Sequence, residues 1–294
     1  MDRTIGVIGL GNMGGVIARK LSKTFTIIGY DIDLDRRNEL ENEGVSCVDQ
    51  LELLAQKTNI ILVSLPNGKI SRSVVSEIIP FLKKGDQLIE TSTVLPNDMA
   101  ELQKICEPQG VKVIDAAILG GVKHIEDAKA EFLVGGHEQD VKEIEPILLA
   151  MGKKVNHMGE LGTGMSAKVI NNAIAHTAMV LIVEAAAIGK KLGISHEKMY
   201  DILSGETTYV RPVNHRFNER IANSEYEGGM STFNARKDST LILDLAQQLN
   251  VPLFSIQASH TVYEIAQSKG YGDLDYASIA KLWEEWCQFN LAKS

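Results

Sequence analysis

Cysteine is scarce and scattered in this 294-residue chain: Cys47, Cys106 and Cys287 are odd in number and far apart. No two have redox or metal-type spacing, so a disulfide framework is not expected, and a reducing, cytoplasmic location is. The seven histidines show no HxxxH or HExxH spacing, which leaves no metal site to expect. His137-Glu138 and His196-Glu197 read as solvated pairs. There is no block of Lys or Arg, and the net charge is −8, so nucleic acid is not an expected partner. No apolar run reads as long enough to span a membrane, and none is expected to be a partner. The start, Met1-Asp2-Arg3 followed by a short apolar run, lacks the cationic and apolar zones of a signal peptide. No repeat or low-complexity tract stands out.

What the chain does have is an ordinary globular balance, 44% hydrophobic and 23% charged, over a length that suits one large or two medium domains. Residues 4–10 form a short apolar run of the buried-strand type. Residues 15–22 then carry helical spacing through Val16, Ile17 and Leu21, and residues 26–30 form a second strand. Further short apolar runs recur at 60–64, 87–90, 111–115 and 131–134, with helical patterns between most of them. This alternation predicts a parallel, doubly wound sheet.

The pattern changes near residues 159–164. Residues 165–192 are rich in Ala, Ile and Val but carry Lys168, Asn171, Asn172, His176 and Glu184. As one helix they run roughly 42 Å, enough to bridge two domains. The polar positions argue against a membrane span. Residues 197–203, 235–249, 254–269 and 273–287 continue with helical patterns, with an Asp before 277–279 as a cap. The expected fold is α/β: an N-terminal Rossmann-type doubly wound sheet over residues 1–160, then an all-helical C-terminal domain over 161–294, joined by the long helix. That helix has more apolar surface than a small helical domain covers, so a homodimer or homotetramer is expected.

Two segments carry chemistry. Gly9-Leu10-Gly11-Asn12-Met13-Gly14 follows the first strand and opens the first helix. Glycines there permit a tight turn, let backbone N–H groups approach a pyrophosphate, and bring helix and strand close. Asp31, 22 positions after Gly9, ends the next strand, where a carboxylate accepts hydrogen bonds from ribose hydroxyls and repels a 2′-phosphate. NAD is therefore the expected cofactor; Asp33, Arg36 and Arg37 close by keep NADP open, since an arginine there can meet a phosphate. The second segment runs from Gly162-Thr163-Gly164 through Lys168 to Asn171-Asn172. In a helix, Lys168 and Asn172 stack on one face at i and i+4. On residues alone this is either a solvated lysine with an ordinary asparagine or, in a cleft, a proton-transfer pair, because burial lowers an ammonium pKa toward neutrality.

These motifs, with Asp115-Ala116-Ala117-Ile118-Leu119-Gly120-Gly121 and Lys237-Asp238, stand in the order and spacing of the β-hydroxyacid dehydrogenases. The chain resembles that family nearly end to end, including Leu65-Pro66-Asn67, Thr91-Ser92-Thr93 and Gly270-Tyr271-Gly272-Asp273-Leu274-Asp275. The family includes 3-hydroxyisobutyrate dehydrogenase and tartronate semialdehyde reductase, with a C-terminal domain like that of 6-phosphogluconate dehydrogenase. The resemblance implies roles for individual residues. Lys168 is the general acid and base, and Asn172 places the reacting oxygen. Leu65, Pro66 and Thr93 line the nicotinamide half of the cofactor site, and Lys237 reaches toward cofactor and substrate. Gly120 and Gly121, with Leu119 beside them, form the turn that binds a substrate carboxylate.

The departures bear on the substrate. Where the family usually has proline, valine and serine, this chain has Ala117, Ile118 and Leu119. Leucine cannot donate to a carboxylate. Either the N–H groups of Gly120 and Gly121 suffice, or the acid end differs, or Leu119 packs on a more apolar substrate. The run 228–234 also departs from the family's usual aromatic-containing run before Lys237, which alters the pocket wall near Met230. Arg211 is either an anion clamp or a solvated loop arginine. The expected activity is NAD(P)-dependent hydride transfer to or from a small β-hydroxyacid or its semialdehyde. One alternative is a reductase of imines or larger, more apolar carbonyls; another is a non-catalytic dinucleotide-binding sensor or scaffold. The retained Lys168 speaks against both, because imine-reducing relatives usually replace it and a sensor is free to lose it.

Overall fold

The computed structural model describes residues 4–293. The chain divides into two compact units, Met1–Ala173 and Ile174–Ser294. In the first, strands β1 (Thr4–Ile8), β2 (Thr26–Tyr30), β3 (Ser46–Val48), β4 (Ile60–Val63), β5 (Gln87–Glu90), β6 (Lys112–Leu119), β7 (Ala130–Gly135) and β8 (Gly152–Gly159) form one sheet. Their order is β3-β2-β1-β4-β5-β6-β7-β8. Helices α1 (Asn12–Leu21), α2 (Leu34–Asn42), α3 (Leu51–Lys57), α4 (Gly68–Ile78), α5 (Pro96–Cys106), α6 (Val122–Glu126) and α7 (Glu138–Leu149) connect them. The apolar strands bury both faces. Ile5, Val7, Leu62 and Ile114 share one core with Ile17 and Ile144. Ile8, Ile61, Val63 and Leu88 share the other with Leu54, Val75 and Met99. Continuous apolar runs, rather than alternating ones, are what a sheet covered on both sides requires.

The sheet is mixed, not wholly parallel as the alternation predicted. From β3 to β6 the neighbours pair in parallel, but β7 runs antiparallel to β6. Between β6 and β7 lies only a tight turn with the short α6, and a parallel pair needs a crossover of roughly a dozen residues or more. Two strands had no apolar signal: β3 is short, and β8 (GKKVNHMG) is a polar edge strand with Lys153 and Lys154 exposed. Lysines at a sheet edge block further strand pairing.

Helix α8 (Thr163–Lys191) is continuous, and the boundary between the units falls inside it, after Ala173. By length and composition alone it is apolar enough to cross a membrane, which corrects the expectation that no segment is. Ile170, Ile174, Met179, Val180 and Val183 are exposed along it.

The regular elements of the second unit are helical: α9 (His196–Ser204), a π-type segment Pro212–Ile221, α10 (Thr232–Leu249), α11 (Ser255–Ala266) running into a second π-type segment Gln267–Tyr271, a short turn of 3-10 helix Tyr276–Ile279, and α12 (Ala280–Cys287). Its buried apolar clusters are small, around Ile188 and Leu253 and around Tyr226 and Ala280. Buried carboxylates also tie its segments together. Glu184 accepts the N–H groups of Phe254, Ser255 and Ile256 at the start of α11, where the helix otherwise leaves donors unpaired. Asp275 caps Tyr276–Ile279 through the Ala277 N–H at 3.0 Å and pairs with Arg216 and Arg220.

Candidate active site

The strand order reverses about β1, which has β2 on one side and β4 on the other. The loops leaving β1 and β4 diverge there and open a crevice at the C-terminal edge of the sheet. A cleft of about 530 Å³ occupies it, walled by Gly9, Gly11–Gly14, Asp31, Arg36, Leu65 and Pro66. The glycines make the cleft. Gly9 has φ +87°, and a Cβ there would lie 2.2 Å from the Ser64 carbonyl; a Cβ on Gly14 would lie 1.8 Å from the Gly9 carbonyl. Gly11 caps α1 without a side-chain hydrogen bond, and the first turn carries no acidic residue. The leading N–H groups of α1 are thus free to face an anion. This donor set, with a backbone cradle that any Cβ would fill, fits the pyrophosphate of a dinucleotide.

Asp31 is 6% exposed at the end of β2. Its Oδ2 accepts the Leu10 N–H at 2.7 Å, and its Oδ1 accepts the Asp33 N–H at 2.9 Å. It therefore locks the glycine loop to β2 as well as facing the cleft, and a carboxylate has lone pairs left for ribose hydroxyls. Arg36 lies 3.4 Å from Asp31 Oδ2, and Arg37 donates to the Asp31 carbonyl. Leu65 and Pro66 wall the cleft, while Thr93 is exposed in the loop after β5.

The start of α8 sits at the same edge. Ile8, Val63, Glu90 and Asp115 are level across β1, β4, β5 and β6. Asp115, fully buried, accepts the Gly162 N–H at 2.6 Å and the Met165 N–H at 2.7 Å. Burial pushes its carboxyl above the usual range, and those N–H bonds pull it back. Gly164 lets the helix lie directly on β7, since a Cβ there would come within 2.4 Å of the Leu133 carbonyl. Lys168 is one turn along, half-buried, with Asn172 one turn beyond it on the same face. Burial holds the Lys168 ammonium below its usual pKa, and among the described residues no carboxylate pairs with it. An ammonium destabilised by burial gives up its proton more readily than a solvated one.

At the end of β6, Leu119 is half-buried and Gly120 turns the chain at φ +126°. The Gly121 N–H donates to His124 Nδ1 at 3.2 Å. This histidine had no signal in the sequence beyond its place three residues after a helix cap. Asp115, Glu90 and Ser92 were also missed as site residues; the only sign was a polar residue ending an apolar run. In the second unit, Lys237 is exposed on α10 and paired with Asp238, and Arg211 is exposed.

Residues 4–159 match the family model described as the NAD binding domain of 6-phosphogluconate dehydrogenase, and residues 162–283 match the one described as NAD-binding of NADP-dependent 3-hydroxyisobutyrate dehydrogenase. The chain is 31% identical to human mitochondrial 3-hydroxyisobutyrate dehydrogenase over 292 residues, covering 96% of this chain and 87% of that protein. It is 26% identical to the structure of Mycobacterium tuberculosis 3-hydroxyisobutyrate dehydrogenase with L-serine, with a TM-score of 0.68, covering 95% of this chain and 98% of that one. An imine reductase from Pseudomonas sp. has the same fold, with a TM-score of 0.87 at 24% identity, covering 96% and 99%. The crevice, the glycine cradle and these likenesses over nearly the whole length agree: the chain belongs to the 3-hydroxyisobutyrate dehydrogenase family of NAD(P)-dependent oxidoreductases.

Proposed function

We propose that this oxidoreductase acts on carbonyl or imine compounds with a more apolar end than the small β-hydroxyacids, with Lys168 as proton donor and acceptor. The turn after β6 carries this reading. Leu119 has no donor for a carboxylate, and the Gly121 N–H, which the family resemblance assigns to the substrate acid, is turned to His124 Nδ1. A carboxylate there has to displace that bond. The likeness of fold to imine reductases is in keeping with it. A second reading, a small β-hydroxyacid or its semialdehyde, draws on the 31% identity to the human enzyme and on the Lys168–Asn172 pair.

A bound nicotinamide supplies or accepts the hydride. In reduction the Lys168 ammonium hydrogen-bonds the substrate oxygen or nitrogen and gives up its proton as the neighbouring carbon gains hydride. In oxidation the neutral amine removes that proton. The Asn172 amide, a neutral dipole one turn away, holds the heteroatom in line with Nζ. The Asp31 carboxylate supports NAD over NADP. Reductase assays with cyclic imines, apolar aldehydes and ketones, and the semialdehyde of 3-hydroxyisobutyrate, each with NADH and NADPH, separate the readings. The apolar compounds and NADH are expected to give the larger kcat/KM, by roughly tenfold or more. A preference for the semialdehyde favours the second reading, and a preference for NADPH removes the role given to Asp31.

We also propose that the chain self-associates through α8, where the exposed residues Ile170–Val183 continue into an apolar groove with Phe254, itself 74% exposed. Sedimentation at micromolar concentration is expected to give a dimer or tetramer; monomer alone contradicts this.

A further inference from the structure

We infer that Glu90 is a positioning residue for the cofactor cleft: it forms with Asp115 a buried carboxyl pair sharing one charge, and the proton kept on Glu90 holds the Leu65 wall and the first turn of α8 in register. The two residues are direct neighbours on β5 and β6 and point to the same face of the sheet. Both are fully buried. Neighbouring carboxyls in a dry interior resist ionising together, so their hydrogen-bond donors weigh on which carries the charge. Asp115 has the Gly162 and Met165 N–H groups, at the positive end of a long helix. Glu90 has the Ser92 N–H on Oε1 at 2.8 Å, while its Oε2 and the buried Ser71 hydroxyl close no hydrogen bond. The charge belongs on Asp115 and the proton on Glu90, whose Oε2–H then has Ser71 Oγ as its acceptor.

Each member is tied to a different wall of the site. The Leu65 N–H donates to Ser92 Oγ at 2.7 Å, so Glu90, through Ser92, sets where Leu65 stands in the cleft. Asp115 sets where α8 begins, one turn before Lys168. Few other ionisable groups share this face. Helix α4 brings Ser71 and Val75, with its Arg72 engaged by Asp98 of α5; α5 adds the Cys106 thiol, and β2 the Tyr30 phenol at the margin. Asp115 is the one charged neighbour named by the strand register. Burial pushes the Glu90 carboxyl from 4.5 up to about 7, with the Ser92 hydrogen bonds pulling the other way. The anchor is intact below neutrality and is lost as pH rises through it, when a second buried negative charge repels the first.

The inference rests on the reading of the cleft as the nicotinamide site and not on which substrate is reduced. NADH fluorescence titrations across about pH 6 to 9 test it, with affinity expected to fall roughly three- to tenfold on the alkaline side. Glu90→Gln keeps an acceptor for the Ser92 N–H and offers Ser71 a donor, so its affinity is expected to stay flat at the acid-side value. A side chain that only supports the fold would lower affinity equally at every pH. A flat wild-type curve, or a Glu90→Gln curve that tracks the wild type, overturns the inference. Infrared spectra of the wild-type protein provide a reading that needs neither a variant nor cofactor. A protonated-carboxyl C=O band is expected to vanish through neutrality, and its absence on the acid side sinks the carboxyl pair. No NADH binding at any pH would instead refute the cleft reading, leaving the infrared band to judge the pair.

Discussion

Lys168→Ala is expected to lower kcat by roughly 10²- to 10⁴-fold while leaving NADH affinity near the parent value, the usual scale for losing a general acid–base group. The split follows from position. Lys168 lies on α8, held by Asp115 at the sheet edge, whereas the residues that wall the dinucleotide cleft come from the loops after β1, β2 and β4. Lys168→Arg is the sharper probe. It keeps a positive charge but cannot release a proton near neutral pH, so it should be nearly as slow as the alanine variant. Because burial holds the Lys168 ammonium below its usual pKa, oxidation should quicken as pH rises through that lowered value and reduction should slow. Steady-state kinetics in both directions check this. An alanine variant that turns over as fast as the parent removes Lys168 from the mechanism.

Gly14→Ala is the second large effect. Its Cβ would stand 1.8 Å from the Gly9 carbonyl oxygen and 3.1 Å from the Ser64 side chain. Backbone cannot give way at that distance without opening the turn between β1 and α1. The expected loss is roughly 100-fold or more in NADH affinity, about 3 kcal/mol, together with a lowered melting temperature. Gly44→Ala serves as the control. It also sits at positive φ, +87°, but nothing lies within 4 Å of the added methyl, so only the local backbone cost of about 1 kcal/mol applies. NADH titration and thermal melting of both variants distinguish a broken cradle from general strain. Unchanged NADH binding by Gly14→Ala would falsify the cradle.

Much of the first unit is legible in its residues because buried parallel strands announce themselves as unbroken apolar runs. β1, β2 and β4 are of this kind, and the glycine loop is marked by three residues whose spacing has few other uses. The same logic explains what was illegible. β8 is polar because it is an edge, and β7 turns back on β6 because its connection is short, a matter of chain length rather than pattern. The strand of residues 111–115 runs on to Leu119, and the turn comes only at Gly120. Glu90 and Asp115 are 25 positions apart in the chain, and nothing local says that they meet.

By itself the sequence determined the sheet's buried strands, the dinucleotide cradle and the one-turn spacing of Lys168 and Asn172, since each depends on neighbours within a turn or a strand. Tertiary structure alone decided that Asp115 holds the start of α8, that Glu90 and Ser92 stand behind the Leu65 wall, and that His124 takes the Gly121 N–H. The first two arise from strand register across the sheet, and the third from the handedness of one turn. Hydrogen bonds between distant residues are set where the backbone brings them, and no periodicity in the chain encodes that meeting.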